Sequence, residues 1–483
     1  MQAATQKHRN LNEIPVELLI PVFVYLAASR EQLSCLRSGR QHPDGIALLH
    51  VCKKWRQIVL STPRIWTSIM EDMSPHLINL ALDCSLEGSL RVFLRLGNNV
   101  WKVPEYQSAI SRLCAQMHRI SLLDIQLRHD SSTSLPQLCE KQAPLLERLR
   151  IENRFSMWQP VPIPTTIFGG VRPPRLRHLF LRFCQLPWDS SLFQNLQTLV
   201  LEQKLQSLDP AQLLDLLRAT ASSLEILTLS EGLPTRWPAS VMEDTVALPL
   251  LRELRLLGSN VDACTCLLRS VACSLSFLSI RAGVTESDFA AFFDTSAHRL
   301  RGSIDTLKID GDYVENVQLE GYVTTAGVRH SVFNIIIVQA GDGYHETPPS
   351  ESVVAGLNRL PVSEARVLYL AGGHHVLEDH VVSSLYANLS KLRILDAAYV
   401  LPGDNFMKAF GGPVLPPIPF PYLERIQVPQ ESLPHAQAVA DARKSAGVPI
   451  ILEARDPHAA PPTDLHDYIA CLTCSQRDLG WTN

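Results

Sequence analysis

Residues 223–232 read SLEILTLSEG, and the same apolar-x-x-apolar-x-apolar phrase stands at LLERLRIEN (145–153), PRLRHLFLRFC (174–184), NLQTLVLEQ (195–203), LLRELRLLGS (250–259) and SLSFLSIRAG (274–283). The last two apolar positions of each phrase are two residues apart, so both side chains point to one face of a short strand. The first lies in the turn that enters the strand. Weaker copies are SIDTLKIDG (303–311), SVFNIIIVQ (331–339), EARVLYLAG (364–372), KLRILDAAY (391–399) and YLERIQVPQ (422–430), and HLINLALDC (76–84) and RISLLDIQL (119–127) are earlier candidates. The leading apolar residues of the clear copies, Leu146, Leu176, Leu196, Leu224, Leu251 and Leu275, are 30, 20, 28, 27 and 24 residues apart. A unit this short cannot bury its apolar face alone, so the copies are expected to stack into a parallel sheet with helical returns on its other side.

The segments between copies fit that picture. In SLDPAQLLDLLRATASS, Asp209 caps a helix that Pro210 opens, and Leu213, Leu214 and Leu217 share a face. Ser287–Phe293, Asp379–Asn388 and Pro434–Ala446 also read as helical, and Val448–Leu452 reads as a strand. Residues 158–174 and 412–421 are rich in Pro and Gly and are expected to be loops. The spacing resembles leucine-rich repeats, whose period is about 20–29 residues. The asparagine that often follows the strand in that family is mostly missing, so a divergent, irregular solenoid is the expectation. Its alternative is a generic α/β domain with Leu-rich strands.

A different pattern opens the chain. LNEIPVELLIPVFVYL begins at Leu11, and ALLHVCKKWRQIVLSTPRIWTSI ends at Ile69. Pro15 suits a helix start, and Leu18, Leu19, Val22, Phe23 and Leu26 follow with helical spacing. Leu48, Leu49, Val51, Cys52, Trp55, Ile58 and Val59 repeat it before Pro63 and Trp66. Ile14-Pro15-Val16-Glu17-Leu18-Leu19, Val51-Cys52-Lys53-Lys54-Trp55-Arg56 and the late Trp66 together resemble an F-box. The link from about Ala27 to Gly45 is longer and more polar than is usual there. The resemblance implies a helical module that docks on the Skp-family adaptor of a cullin–RING ubiquitin ligase, with Pro15, Leu18, Leu19, Val22, Val51, Cys52 and Trp55 as the matching residues. An F-box followed by irregular leucine-rich repeats is similar to a large class of fungal F-box proteins, and LSTPRIWTSI (60–69) fits that class.

Composition narrows the remaining classes. The chain has 483 residues, enough for a large core, and at 46% hydrophobic and 19% charged it is globular, not disordered. Its 44 basic and 48 acidic residues nearly cancel, so no footprint for nucleic acid or an anionic membrane exists. No apolar run has the length of a membrane span, and the opening MQAATQKHRNLNEI has no signal-like core. Eleven scattered cysteines without a framework spacing then suit reduced thiols, and a cytoplasmic or nuclear location is expected.

No phosphate loop, nucleophile elbow or zinc helix occurs in the sequence. Cys471 and Cys474 form a lone C-x-x-C, short of the four ligands that close a zinc site, and Cys264, Cys266 and Cys273 read as buried small residues. His374, His375 and His380 with Glu378 and Asp379 are the densest ligand-like group, and solvated loop histidines are the simpler reading. Gly341-Asp342-Gly343 is a turn signal. No cofactor, metal or catalytic residue is therefore expected.

The strand positions between the apolar ones carry mixed charge and aromatics: Arg148, Arg150, Glu152, His178, Phe180, Arg182, Glu253, Arg255, Arg281, Lys308, Asp310 and Tyr369. That mixture suits protein recognition. Arg150, Phe180, Arg255 and Tyr369 are the candidate contacts for a protein client. The resulting domain reading is residues 1–70 as the helical module with its insertion at about 27–45, 71–455 as the repeat array with a C-terminal cap, and 456–483 as a tail. The functional expectation is a non-enzymatic substrate-recognition subunit of a Skp–cullin–F-box ligase. The alternative is a repeat scaffold acting outside ubiquitination.

Overall fold

Caps and prolines set where the helices begin. Asp209 accepts a hydrogen bond from the Ala211 amide (3.1 Å) with Pro210 next to it, Asn260 accepts from Ala263 (2.7 Å), and Ser74 accepts from Leu77 (3.3 Å) ahead of Pro75. A computed structural model describes residues 14–34, 44–70, 73–96, 103–127, 140–153, 160–202, 209–230, 233–239, 245–284, 289–311, 316–339, 350–372, 379–399 and 420–455. The protein is an α/β protein built mostly on parallel sheet. It divides into two units, one reaching Leu192 and the other starting at Phe193.

The first unit opens with helices α1 (Val16–Ser34), α2 (Asp44–Leu49) and α3 (Lys53–Leu60) and a short 3-10 turn at Pro63–Trp66. Strands β1 (Ser68–Ile69), β2 (Leu90–Leu96), β3 (Ile120–Leu127), β4 (Arg148–Asn153) and β5 (His178–Arg182) follow, each parallel to the next. Helices α4 (Pro75–Cys84) and α5 (Pro104–Ala115) are the returns between the first three strands and pack on each other. The register stacks Leu123, Leu149 and Leu179 in one row and Ile125, Ile151 and Leu181 in another, all buried.

The second unit runs β6 (Thr198–Glu202), α6 (Pro210–Thr220), β7 (Ile226–Ser230), β8 (Glu253–Asn260), α7 (Val261–Ser270), β9 (Phe277–Val284) and α8 (Phe289–Arg299). It continues through β10 (Thr306–Gly311), β11 (Asn316–Thr325), β12 (Val328–Gln339), α9 (Ser350–Arg359), β13 (Val367–Gly372) and α10 (Asp379–Asn388). It closes with β14 (Ile394–Tyr399), β15 (Arg425–Pro429), α11 (Leu433–Ser445) and β16 (Ile451–Arg455). Leu199, Leu227, Leu254 and Leu278 lie in one buried row. The six leading leucines, Leu146 to Leu275, are at most 1% exposed, as their place in the entering turns requires.

Two expectations need correction. HLINLALDC (76–84) is not a strand but helix α4, because Ser74 and Pro75 start a helix there and Ile78, Ala81 and Leu82 have helical spacing. The neighbouring strand is β2, LRVFLRL, with strictly alternating burial. The second unit is also not a simple succession of parallel strands. Its spatial order is β6-β7-β8-β9-β12-β11-β10-β13-β14-β15-β16, and β11 is antiparallel to both β12 and β10. SVFNIIIVQ therefore belongs to the second arm of a hairpin inserted between β9 and β10. Helices α7, α8, α9 and α10 still pack each on the next behind this insertion. Pro15 stands at the start of helix α1, as the sequence indicates, and its carbonyl accepts from the Leu18 and Leu19 amides (3.1 and 3.3 Å).

Candidate interaction surfaces

Helix α1 is apolar on two sides. Leu19 and Phe23 face inward, and the Phe23 ring lies 4.8 Å from that of Trp55 on α3. Trp66 seals the same small core and donates from Nε1 to the Val59 carbonyl (2.8 Å). Lys54 Nζ donates to the Ile14 carbonyl (3.1 Å) and holds the start of α1 against α3. On the outer side, Leu18, Val22 and Tyr25 recur at i, i+4 and i+7 and are 63%, 51% and 72% exposed. Pro15 beside them is exposed, and so is Val51 before α3.

This division sorts the motif residues. Pro15, Leu18, Val22 and Val51 are available to a partner, while Leu19 is buried. Cys52 is the N-cap of α3 and accepts from the Trp55 amide through Sγ (3.5 Å), so both half-buried residues shape the module. Tyr25 belongs to the outer stripe but was not singled out from sequence, because aromatic and aliphatic positions at helical spacing read alike there.

The strand face opposite the apolar rows is polar. In the first unit, Glu152 is 1% exposed and bonds both Arg150 (2.9 Å) and Arg182 (3.1 Å). The Arg150 guanidinium lies 4.3 Å from the Phe180 ring centre and 4.0 Å from Asp124. Arg150 and Phe180, two of the four expected client contacts, are buried at 4% and 2% exposure. They are placed to hold the strand face together. Burial and the neighbouring Arg148 and Arg177 push the His178 imidazole down to about 4, so it is neutral at physiological pH.

In the second unit the register carries one polar row across adjacent strands: Thr228, Arg255, Ser279, Asn334, Glu320, Lys308, Tyr369, Asp396, Gln427 and Glu453. Arg255 pairs with Glu253 (3.4 Å) and stacks 5.2 Å from the Phe277 ring. Glu320 receives Lys308 Nζ (3.0 Å), Gln318 Nε2 (2.7 Å) and the Tyr322 hydroxyl. Lys308 also reaches Asp310 (3.1 Å). Arg255 and Tyr369, the other two expected contacts, are half-buried and lie several strands apart, so they do not form one cluster. Tyr369 instead meets Arg329 from the inserted hairpin.

Among the described residues no group of three or more His, Cys, Asp or Glu side chains is arranged to hold a metal. Burial raises the Cys114 and Cys273 thiols to about 11 and those of Cys184 and Cys264 to about 12, so all four stay protonated at neutral pH. His374, His375, Glu378, the His380 side chain, Gly341–Gly343, Cys471 and Cys474 lie outside the described residues. Among the described residues no helix is long and apolar enough to cross a membrane. Comparison of the sequence with protein-family models and with curated proteins finds no match.

Proposed function

We propose that this chain is the substrate-recognition subunit of a Skp–cullin–F-box ubiquitin ligase. Its N-terminal helices would hold the Skp-family adaptor, and its divergent leucine-rich repeats would hold a protein client. The observation that carries this reading is the outer stripe of α1. A helix that is apolar all round is normally covered all round. Here Leu18, Val22 and Tyr25 stay exposed while Leu19 and Phe23 fill the core behind them. A partner that covers the stripe recovers about 25 cal/mol for each Å² of apolar surface it removes from water. Of the residues on this helix that resemble an F-box, Leu18 and Val22 fall on the outer side and Leu19 on the inner. The activity would be proximity: a client lysine meets a charged ubiquitin carrier at high effective concentration, with no catalytic group in this chain.

Co-expression with a Skp-family adaptor tests it. The wild-type chain is expected to co-purify with the adaptor. Leu18→Asp with Val22→Asp should abolish co-purification without lowering the melting temperature, because both positions are exposed. Absence of a wild-type complex would leave the repeat scaffold outside ubiquitination as the better reading.

A further inference from the structure

We infer that Arg329 and Tyr369 form a binding site for the oxyanion of an acidic client segment. This inference rests on the client-binding reading of the repeats and gives it a location and a chemistry. Arg329 stands near the tip of the β11–β12 hairpin, where the pairs Val323–His330, Thr324–Arg329 and Thr325–Val328 run past the last residue paired to β10. From there its guanidinium folds back over two rings, 5.7 Å from the centre of Tyr322 and 5.4 Å from that of Tyr369. Nη2 donates to the Tyr369 hydroxyl at 3.3 Å.

Among the described residues Arg329 has no acid beside it, although it is half-buried. Along the strand face of the second unit, Arg255 has Glu253, Lys308 has Glu320 and Asp310, and Arg425 has Glu453. Arg329 is half-buried, and among the described residues it meets no carboxylate. The nearby Glu320 does not serve, because Lys308, Gln318 and Tyr322 already occupy it. Arg329 is not needed to pin the hairpin either. The strands flanking it are paired to β10 and β9, and Asp305 accepts from the Thr324 amide (2.6 Å) close to the tip.

The guanidinium therefore keeps most of its fork of donors for a ligand. The Tyr369 hydroxyl, accepting from Arg329, directs its own proton outward as a further donor. Two ring centres lie 5.7 and 5.4 Å from the guanidinium carbon, and the planar fork of an arginine favours an in-plane, bidentate acceptor. A carboxylate or a phosphoryl group has that geometry.

The test uses the full-length chain and a phage-displayed library of random dodecapeptides. Enriched peptides should carry Asp or Glu, and a synthetic copy should bind at least tenfold more weakly to Arg329→Gln and severalfold more weakly to Tyr369→Phe. Replacing the peptide's acid by its amide should cost wild-type binding the same tenfold and cost Arg329→Gln nothing further. A phosphoserine at that position that binds more tightly than the carboxylate would identify phosphorylated clients, and one that binds more weakly would identify acidic ones. Both keep the site. Failure of any peptide to enrich, enrichment of peptides without an acid, or equal binding to wild type and Arg329→Gln would overturn the proposal. Should Arg329→Gln melt earlier than wild type, Arg329→Lys and Tyr369→Phe decide instead, since the first keeps the positive charge and the second keeps the ring. Adaptor co-purification is read on the same preparations. Its loss with peptide binding intact sinks the ligase reading alone, and the converse sinks this site alone.

Discussion

Glu320 is nearly sealed from solvent at 2% exposure, and its two oxygens meet Lys308, Gln318 and Tyr322. Burial acts to lower the Lys308 pKa, but Glu320 and then Asp310 outweigh it, and the net shift is upward from the ordinary 10.5. A base raised in this way stabilises the fold fully below 10.5 and loses that contribution as pH rises through its folded value. Glu320→Gln should therefore cost about 3 kcal/mol in urea unfolding at neutral pH, the low end for a broken buried pair because Asp310 still holds Lys308. The variant should also lose stability less steeply than wild type above pH 10.5. Parallel slopes in the two proteins would show that Lys308 does not draw on Glu320. This network also marks a limit of sequence reading at the residue scale. Arg150, Phe180, Arg255 and Tyr369 all stand between apolar strand positions, yet the first two are buried and the others half-buried. Alternation tells which face a side chain takes. It does not tell what covers that face.

At the scale of elements, the inserted hairpin depends on Gly321. Its register partner is Phe333, whose ring lies where a side chain at 321 would stand: a Cβ there would come within 2.3 Å of the ring. Phe333 is fully buried and cannot swing out. Gly321→Ala gains about 0.4–1 kcal/mol from the unfolded chain but incurs about 1–3 kcal/mol of overpacking, so a net loss is expected in denaturant unfolding. An unchanged midpoint would mean that Phe333 has room to move. The hairpin is legible in the sequence. Val317, Leu319, Gly321 and Val323 alternate with polar residues, and Ala326-Gly327 at positive φ makes the turn. A search for the repeat phrase alone selects residues 331–339 and misses the arm before it. The same search takes HLINLALDC for a strand, because apolar residues three and two apart fit both periods until Ser74 and Pro75 are weighed as a helix start. Elements with their own stop and start signals were readable: α6 begins at Pro210 after Asp209 and α10 spans Asp379–Asn388, as the sequence indicates.

At the scale of the whole molecule, a stack of repeats buries each apolar row only against its neighbours, so its ends decide whether it stays in solution. The second unit ends in β15, α11 and β16, and α11 packs on both strands. Leu395 of β14 continues through Ile426 to Leu452 in one register row. Leu395 and Ile426 are buried, Leu452 is half-buried, and Ile451 beside it at the outer strand is 56% exposed, so the apolar row thins toward this end. Arg443 of α11 is 2% exposed and donates to the Phe420 carbonyl (3.0 Å), which ties the helix to the turn before β15. A chain ending at Pro421 would strip β14 of its outer neighbour and leave Leu395 and Ala397, now buried, at an open sheet edge. Such an edge pairs with other chains as readily as with its own. The shortened chain is expected to run in the void volume of a sizing column, whereas a control ending at Arg455 keeps all three elements and should run as the full-length protein does. The control also separates the effect of residues 422–455 from that of residues 456–483, which the Pro421 truncation removes as well. If the Pro421 chain were monomeric with an unchanged melting temperature, β15, α11 and β16 would be an appendage to the second unit and not its cap.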